Sequence, residues 1–205
     1  MAGETTRLRV DARQNRDRIL ASARETFAAV GLDASMTEIA RRAGVGVATL
    51  YRRFPTKASL VTEVFADQLA ACTAVVHEAS EDPDPWRGFC RVVRELCEMQ
   101  ARDRGFSAAF LRAFPDAVPV ERKRAEAEEV FAGLVARAQA AGALRPDFTT
   151  DDLVLVLMAN NGLVTGSTDA TAAASRRMVA YFLQAFRAGD PLPPPVRLAL
   201  REALG

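Results

Sequence analysis

The chain has 205 residues, 49% of them hydrophobic and 26% charged, with two Tyr and one Trp against abundant Ala, Arg, Glu and Leu; this excludes disorder and favours an all-α fold with a sizeable core. A net charge of +1 hides a polarity, because residues 1–57 hold eleven Lys and Arg against six Asp and Glu, a net of +5, and the rest carries −4; a basic module for a polyanion on an acidic body is the expectation. The three cysteines, Cys72, Cys90 and Cys97, form no CxxC pair, the start lacks an apolar leader, and no uninterrupted apolar stretch approaches 18 residues, so no disulfide framework, no metal site, no membrane span and a cytoplasmic protein are expected.

Residues 1–12, with Arg7 and Arg9 and no core pattern, read as a flexible basic arm; whether the two arginines reach a minor groove stays open. From Arg13 the positions Ile19/Leu20, Ala23, Phe27 and Val30 recur at helical spacing and stop at Gly31. Ser35-Met36-Thr37-Glu38 predicts a capping box, with the Glu38 carboxylate reaching back to the Ser35 N–H. That second helix ends at Ala43, where Gly44 supplies a left-handed stop. A third runs from Val47 to Phe54 until Pro55 blocks it. Two short helices across a glycine turn suit the major groove, which is wide enough for one of them. In the second of the pair, Leu50 and Phe54 face inward while small and polar residues face out.

Thr56 caps a long fourth helix with an apolar stripe through Leu60/Val61, Val64/Phe65, Leu69, Cys72 and Val75/Val76, ended by Asp82-Pro83-Asp84-Pro85. Further helices are predicted over Trp86–Arg102, Gly105–Phe114, Pro119–Ala141, a stretch that follows the N-cap string Thr149-Thr150-Asp151-Asp152, and Asp169–Ala188, about nine in all. Leu153–Ala159 is apolar on every face and predicts a helix covered on all sides. His77 is the only histidine, which argues against a His-based metal site.

Ile39-Ala40-Arg41-Arg42-Ala43-Gly44-Val45, then Thr49-Leu50-Tyr51-Arg52-Arg53-Phe54-Pro55-Thr56-Lys57, preceded by Phe27-Ala28-Ala29-Val30-Gly31, resembles the N-terminal domain of TetR-family repressors. The likeness covers about residues 13–72. It implies a three-helix helix-turn-helix domain followed by a helical ligand-binding and dimerisation domain. By the resemblance, Thr49 contacts base or phosphate, and Tyr51 and Lys57 each hold a phosphate. Val47, Ala48, Arg52 and Arg53 occupy reading positions, with Arg52 and Arg53 the candidates for guanine, and Thr37 adds a contact. Gly46 stands where the family often has Ser, and Ala48 where it often has Gly.

The expected domains are therefore the arm at 1–12, a DNA-binding domain at 13–58 with its motif at 35–54, an effector-binding and dimerisation domain at 59–190, and a Pro-rich tail at 191–205. The expected partners are a double-stranded, near-palindromic DNA operator, a second copy docked through about residues 150–188, and an apolar or aromatic small-molecule effector. Phe65, Phe89, Cys90, Val93, Phe106, Phe110, Phe114, Phe131, Met158 and Asn161 are candidates to line its pocket, although a helical core needs the same residues. No cofactor is expected. Two rivals are an all-helical enzyme, for which the chain shows no catalytic or phosphate-loop motif, and an interaction protein that has lost DNA binding, at odds with the presence of Tyr51 and Lys57.

Overall fold

The computed structural model describes residues 2–102, 119–163, 165–187 and 189–198, with side chains from residue 14 onward and, in the helix beginning at 119, from 125 onward. Among these residues there are eight α-helices and no strand: α1 Ala2–Val30, α2 Met36–Ala43, α3 Val47–Arg53, α4 Lys57–Ser80, α5 Pro85–Arg102, α6 Pro119–Ala140, α7 Thr150–Asn161 and α8 Thr168–Ala185. The helix predicted at 105–114, and with it Phe106, Phe110 and Phe114, lies outside the described residues. The chain divides within α4, between Gln68 and Leu69, into two compact units.

In the first unit α1 starts at Ala2, ahead of the predicted Arg13, so a helix stands where an arm was expected. Ala, Glu, Arg and Leu are strong helix formers, and extending an existing helix costs no new nucleus. Ile19, Leu20, Ala23 and Phe27 of α1 are buried with Ile39 and Ala40 of α2, Leu50 of α3, and Leu60, Val61 and Val64 of α4. The Arg16 guanidinium donates twice to Glu63, at 3.0 and 2.6 Å, and Arg24 pairs with Asp67, tying α1 to the first half of α4. These pairings carry the unit past the boundary expected at residue 58. By length and composition α4 is the one described helix that could cross a bilayer. Its buried Leu60, Val61, Val64 and Phe65 and its two ion-paired carboxylates assign it to a protein core instead.

In the second unit α5 is central and packs against α6, α7 and α8. Its inward face buries Phe89, Val92, Val93 and Cys97. The Phe89 ring lies edge-on to Phe148 and Phe186, with centroids 5.1 and 6.1 Å away, and stacks with Trp86 and Phe131; each such pair adds about 0.5–1.5 kcal/mol beyond burial. The start of α5 passes so close to the end of α4 that a Cβ on Gly88 would lie 2.4 Å from the Ala79 carbonyl oxygen. The Asp152 carboxylate accepts from the Thr149 N–H at 2.7 Å and from Thr149 Oγ1 at 3.1 Å, which caps the start of α7. Buried Asn160 donates to the Cys97 carbonyl and to Gln100, and accepts from Ser175 at 2.6 Å, joining α7 to α5 and α8. Within the single chain α7 is not covered on every side: Leu155 is 48% and Met158 37% exposed.

Candidate nucleic-acid interface

The turn between α2 and α3 is set by local chemistry. Ser35 Oγ accepts from the Glu38 N–H at 3.1 Å and starts α2. Gly44 ends it at φ 64°, ψ 32°, and the following Val45 N–H closes onto the Ala40 carbonyl at 3.0 Å, a Schellman-type stop that a β-carbon would strain. Gly46, in extended conformation, opens α3 with no side-chain cap. Phe54 ends that helix, its N–H donating to the Leu50 carbonyl at 2.8 Å, because Pro55 disfavours a helical residue before it. Thr56 and Ser59 then cap α4 reciprocally, the Ser59 N–H donating to Thr56 Oγ1 at 3.0 Å and the Thr56 N–H to Ser59 Oγ at 3.3 Å. Lys57 is thereby fixed as the first residue of α4.

α3 divides into two faces. Leu50 and Phe54 are 0% and 1% exposed and anchor it in the core. Val47, Ala48, Tyr51, Arg52 and Arg53 are exposed, and Thr49 and Lys57 are half-buried. Thr37 is exposed in the first turn of α2. The structure thus brings all eight candidate DNA contacts to the α2–α3–α4 segment.

One local expectation changes. The Glu38 carboxylate does not reach back to Ser35; it accepts from Arg41 Nε and Nη2, both at 2.8 Å, and from Arg42 Nε at 2.7 Å. Charge-assisted bonds outcompete a neutral backbone donor, and the two arginines hold this carboxyl down at about 2.

The second unit contains a cavity of about 350 Å³. Its wall is largely apolar and comes from the second half of α4 (Leu69, Cys72, Val76), from α5 (Leu96), from α6 (Phe131), and from α7 (Leu153, Val154, Leu157). Thr73, Glu128, Thr150 and Asp151 add polar groups, and Leu198 of the tail completes the lining.

Residues 19–64 match the family model described as bacterial regulatory proteins, tetR family, and residues 84–188 match that of the SbtR-like transcriptional regulator C-terminal domain. A TetR transcription regulatory protein from Mycobacterium vanbaalenii is 30% identical over 88% of this chain and 99% of its own, with a TM-score of 0.64. The chain belongs to the TetR family. A TetR transcriptional regulator from Streptomyces coelicolor is 29% identical, covering 84% of this chain and 98% of its own with a TM-score of 0.65. A ketosteroid transcriptional regulator of Mycobacterium tuberculosis, 19% identical with a TM-score of 0.62 over 85% of this chain and 95% of its own, shares the fold. A comparison with curated proteins gives no match. This TetR-family protein is a DNA-binding transcriptional regulator, not an enzyme.

In this regulator the residues predicted to line a pocket are distributed differently. Phe131 borders the cavity. Phe89, Cys90 and Val93 lie in the packed core of α5, and Phe65 is buried on the first half of α4. Met158 is exposed and Asn161 half-buried. Burial raises the Cys90 thiol and pushes Cys97 up to about 12, so neither is a ready thiolate. Leu69, Cys72 and Val76 were visible in the sequence as the far half of the α4 stripe, a signal for a wall that carries no ring. Leu153, Val154 and Leu157 were visible only as apolar residues without a direction.

Proposed function

We propose that this protein is a ligand-responsive repressor that binds a near-palindromic operator as a homodimer in the cytoplasm, at the nucleoid. The observation that carries the reading is the split face of α3: an anchor of fully buried Leu50 and Phe54 behind an exposed row of Val47, Ala48, Tyr51, Arg52 and Arg53. In this reading Tyr51, Thr49, Lys57 and Thr37 hold phosphates, which sets position, and Arg52 and Arg53 read bases. Two recognition helices fall in successive major grooves about 34–36 Å apart, or a multiple of that spacing.

The dimer contact is assigned to residues 150–188. Support comes from the exposed Leu155 and Met158 of α7 and Tyr181 of α8, large apolar groups that a lone chain leaves in water. The effector site is the cavity in the second unit, and the apolar wall favours an apolar or aromatic ligand. Helix α4 begins at Lys57 and gives Leu69, Cys72 and Val76 to that wall. A ligand that binds better to one placement of α4 shifts the population between DNA-competent and incompetent states.

The test is selection of a binding site from a random DNA library, then fluorescence anisotropy on the selected duplex with wild type and Arg53→Ala. A loss of about 1–3 kcal/mol, with relaxed sequence preference, is expected for a bidentate guanine contact. Unchanged affinity and preference would remove Arg53 from the reading face. A monomeric mass at micromolar concentration in sedimentation would end the dimer assignment.

A further inference from the structure

The wall of the cavity includes a residue of the chain's own tail, Leu198. After α8 the tail is held at three points: Arg145 Nη2 donates to the Asp190 carbonyl at 2.6 Å, the Leu192 N–H donates to Asp147 Oδ2 at 2.9 Å, and the Leu198 N–H donates to Asp151 Oδ1 at 3.1 Å. Pro191, Pro193, Pro194 and Pro195 lack an N–H and have fixed φ, so this stretch is a stiff strap that loses little entropy when laid down. Beyond the prolines the half-buried Leu198 packs on the core and forms part of the cavity wall. Among the described residues of the tail only Leu198 enters the wall, and the strap leading to it is exposed, so it is more easily displaced than a wall residue carried by a helix.

The chemistry beneath Leu198 is one-sided. Among the described lining residues the charged groups are Glu128 and Asp151, both acidic. Asp151 stands in the first turn of α7 and spends one carboxylate oxygen on the Leu198 N–H. If Leu198 leaves, that oxygen loses its donor and an apolar site opens beside it. Asp151 is half-buried, so a replacement for Leu198 that brings its own donor takes over a charge-assisted hydrogen bond at the edge of an apolar site and is favoured over one that does not.

We propose that Leu198 is a resident placeholder for the effector. A ligand with an apolar body and a hydrogen-bond-donating or cationic head displaces it, the body lying against Leu153 and Val154 and the head on Asp151. Binding therefore releases the strap, and the regulator selects against anionic ligands. This inference rests on the reading of the cavity as the effector site.

The experiment uses the full chain and N-phenyl-1-naphthylamine, a fluorescent apolar probe with a single N–H, in wild type, Leu198→Ala, Asp151→Asn and the cavity-filling Leu69→Trp. Leu198→Ala is expected to bind the probe about tenfold more tightly, as when the competent fraction rises from about a tenth to near one. Leu192→Pro, which removes the donor to Asp147 and leaves the cavity wall intact, is expected to tighten binding by a smaller factor. Octylamine is expected to displace the probe at concentrations about tenfold below those of octanoate, a preference of about 1.4 kcal/mol, and Asp151→Asn to erase that preference. Unchanged or weaker binding in both tail variants overturns the placeholder, and equal competition by the amine and the acid in wild type overturns the head assignment. If Leu69→Trp leaves probe binding intact, the effector-site reading itself fails. If it abolishes binding and the tail variants do not tighten it, only the placeholder fails.

Discussion

Two glycines in helices of the second unit should respond to the same substitution with opposite signs. Gly88 lies in the second turn of α5, where an added Cβ would sit 2.4 Å from the Ala79 carbonyl oxygen and 3.3 Å from Leu134 Cδ1. Reaching 3.0–3.4 Å from the oxygen requires backbone to move by roughly 0.6–1 Å, because the obstacle is a carbonyl and not a side-chain tip. Overpacking of this kind costs about 1–3 kcal/mol, and helix propensity returns less than about 1 kcal/mol near a helix start. Gly133 lies inside α6 with nothing within 4 Å of its added Cβ; there Gly→Ala keeps only the propensity and unfolded-state terms, a gain of about 0.4–1 kcal/mol. For a chain of this size about 1 kcal/mol moves Tm by 2–4 °C. Thermal unfolding at one protein concentration should therefore place Gly88→Ala below wild type and Gly133→Ala above it. Equal shifts of the same sign would refute the close approach of α5 to the end of α4.

The interface gives three further expectations. Tyr51→Phe and Lys57→Ala each remove one phosphate partner, so each should weaken binding to all DNA sequences alike, and Lys57→Ala should lower the slope of log affinity against log salt by about one; a loss confined to the operator would assign these residues to base reading. Gly46→Ser should raise the stability of the first unit by a few tenths of a kcal/mol, since a hydroxyl at the first cap of α3 replaces none, and the nearest atom to the added Cβ, Thr49 Oγ1, is an ordinary 3.8 Å away; urea unfolding measures it, and a destabilised variant would show that the α2–α3 turn has no room. The Glu38 carboxyl, held low by Arg41 and Arg42, should titrate near 2 rather than near its ordinary 4.5. Its contribution is then fully present above about 4.5 and lost as pH falls through 2, and a carboxyl carbon resonance titrating near 4.5 would show the clamp to be open.

Much of the DNA-binding unit was legible in the sequence because its decisive interactions are local. Ser35, Gly44 and Pro55 each act within four residues of themselves, and α3 announces its two faces by the spacing of Leu50 and Phe54. Glu38 marks the limit of that legibility. Its carboxylate had two local destinations, the Ser35 N–H behind it and the arginines three and four residues ahead, and the charged pair wins. The Glu38-Arg41-Arg42 spacing was in view; what it lacked was a comparison of energies between a capping box and an ion pair.

The second unit was legible as helices but not as a site. Phe89 and Phe131 have the same chemistry and the same helical spacing, and they stack on each other at 5.9 Å. Yet Phe89 is enclosed by four rings, while Phe131 borders open space. Periodicity says which face of a helix turns inward, and a cavity is a property of how several inward faces fail to meet. The same holds for the polar groups. Asn160 and Asn161 are adjacent and identical in type, but only Asn160 meets the Cys97 carbonyl, Gln100 and Ser175, partners 15 to 63 residues away. Leu198 is the extreme case, a residue after a proline-rich run that no pattern would place in a binding site. Its position depends on Asp151, 47 residues earlier, so the part of this regulator that local sequence explains least is the part argued to respond to its ligand.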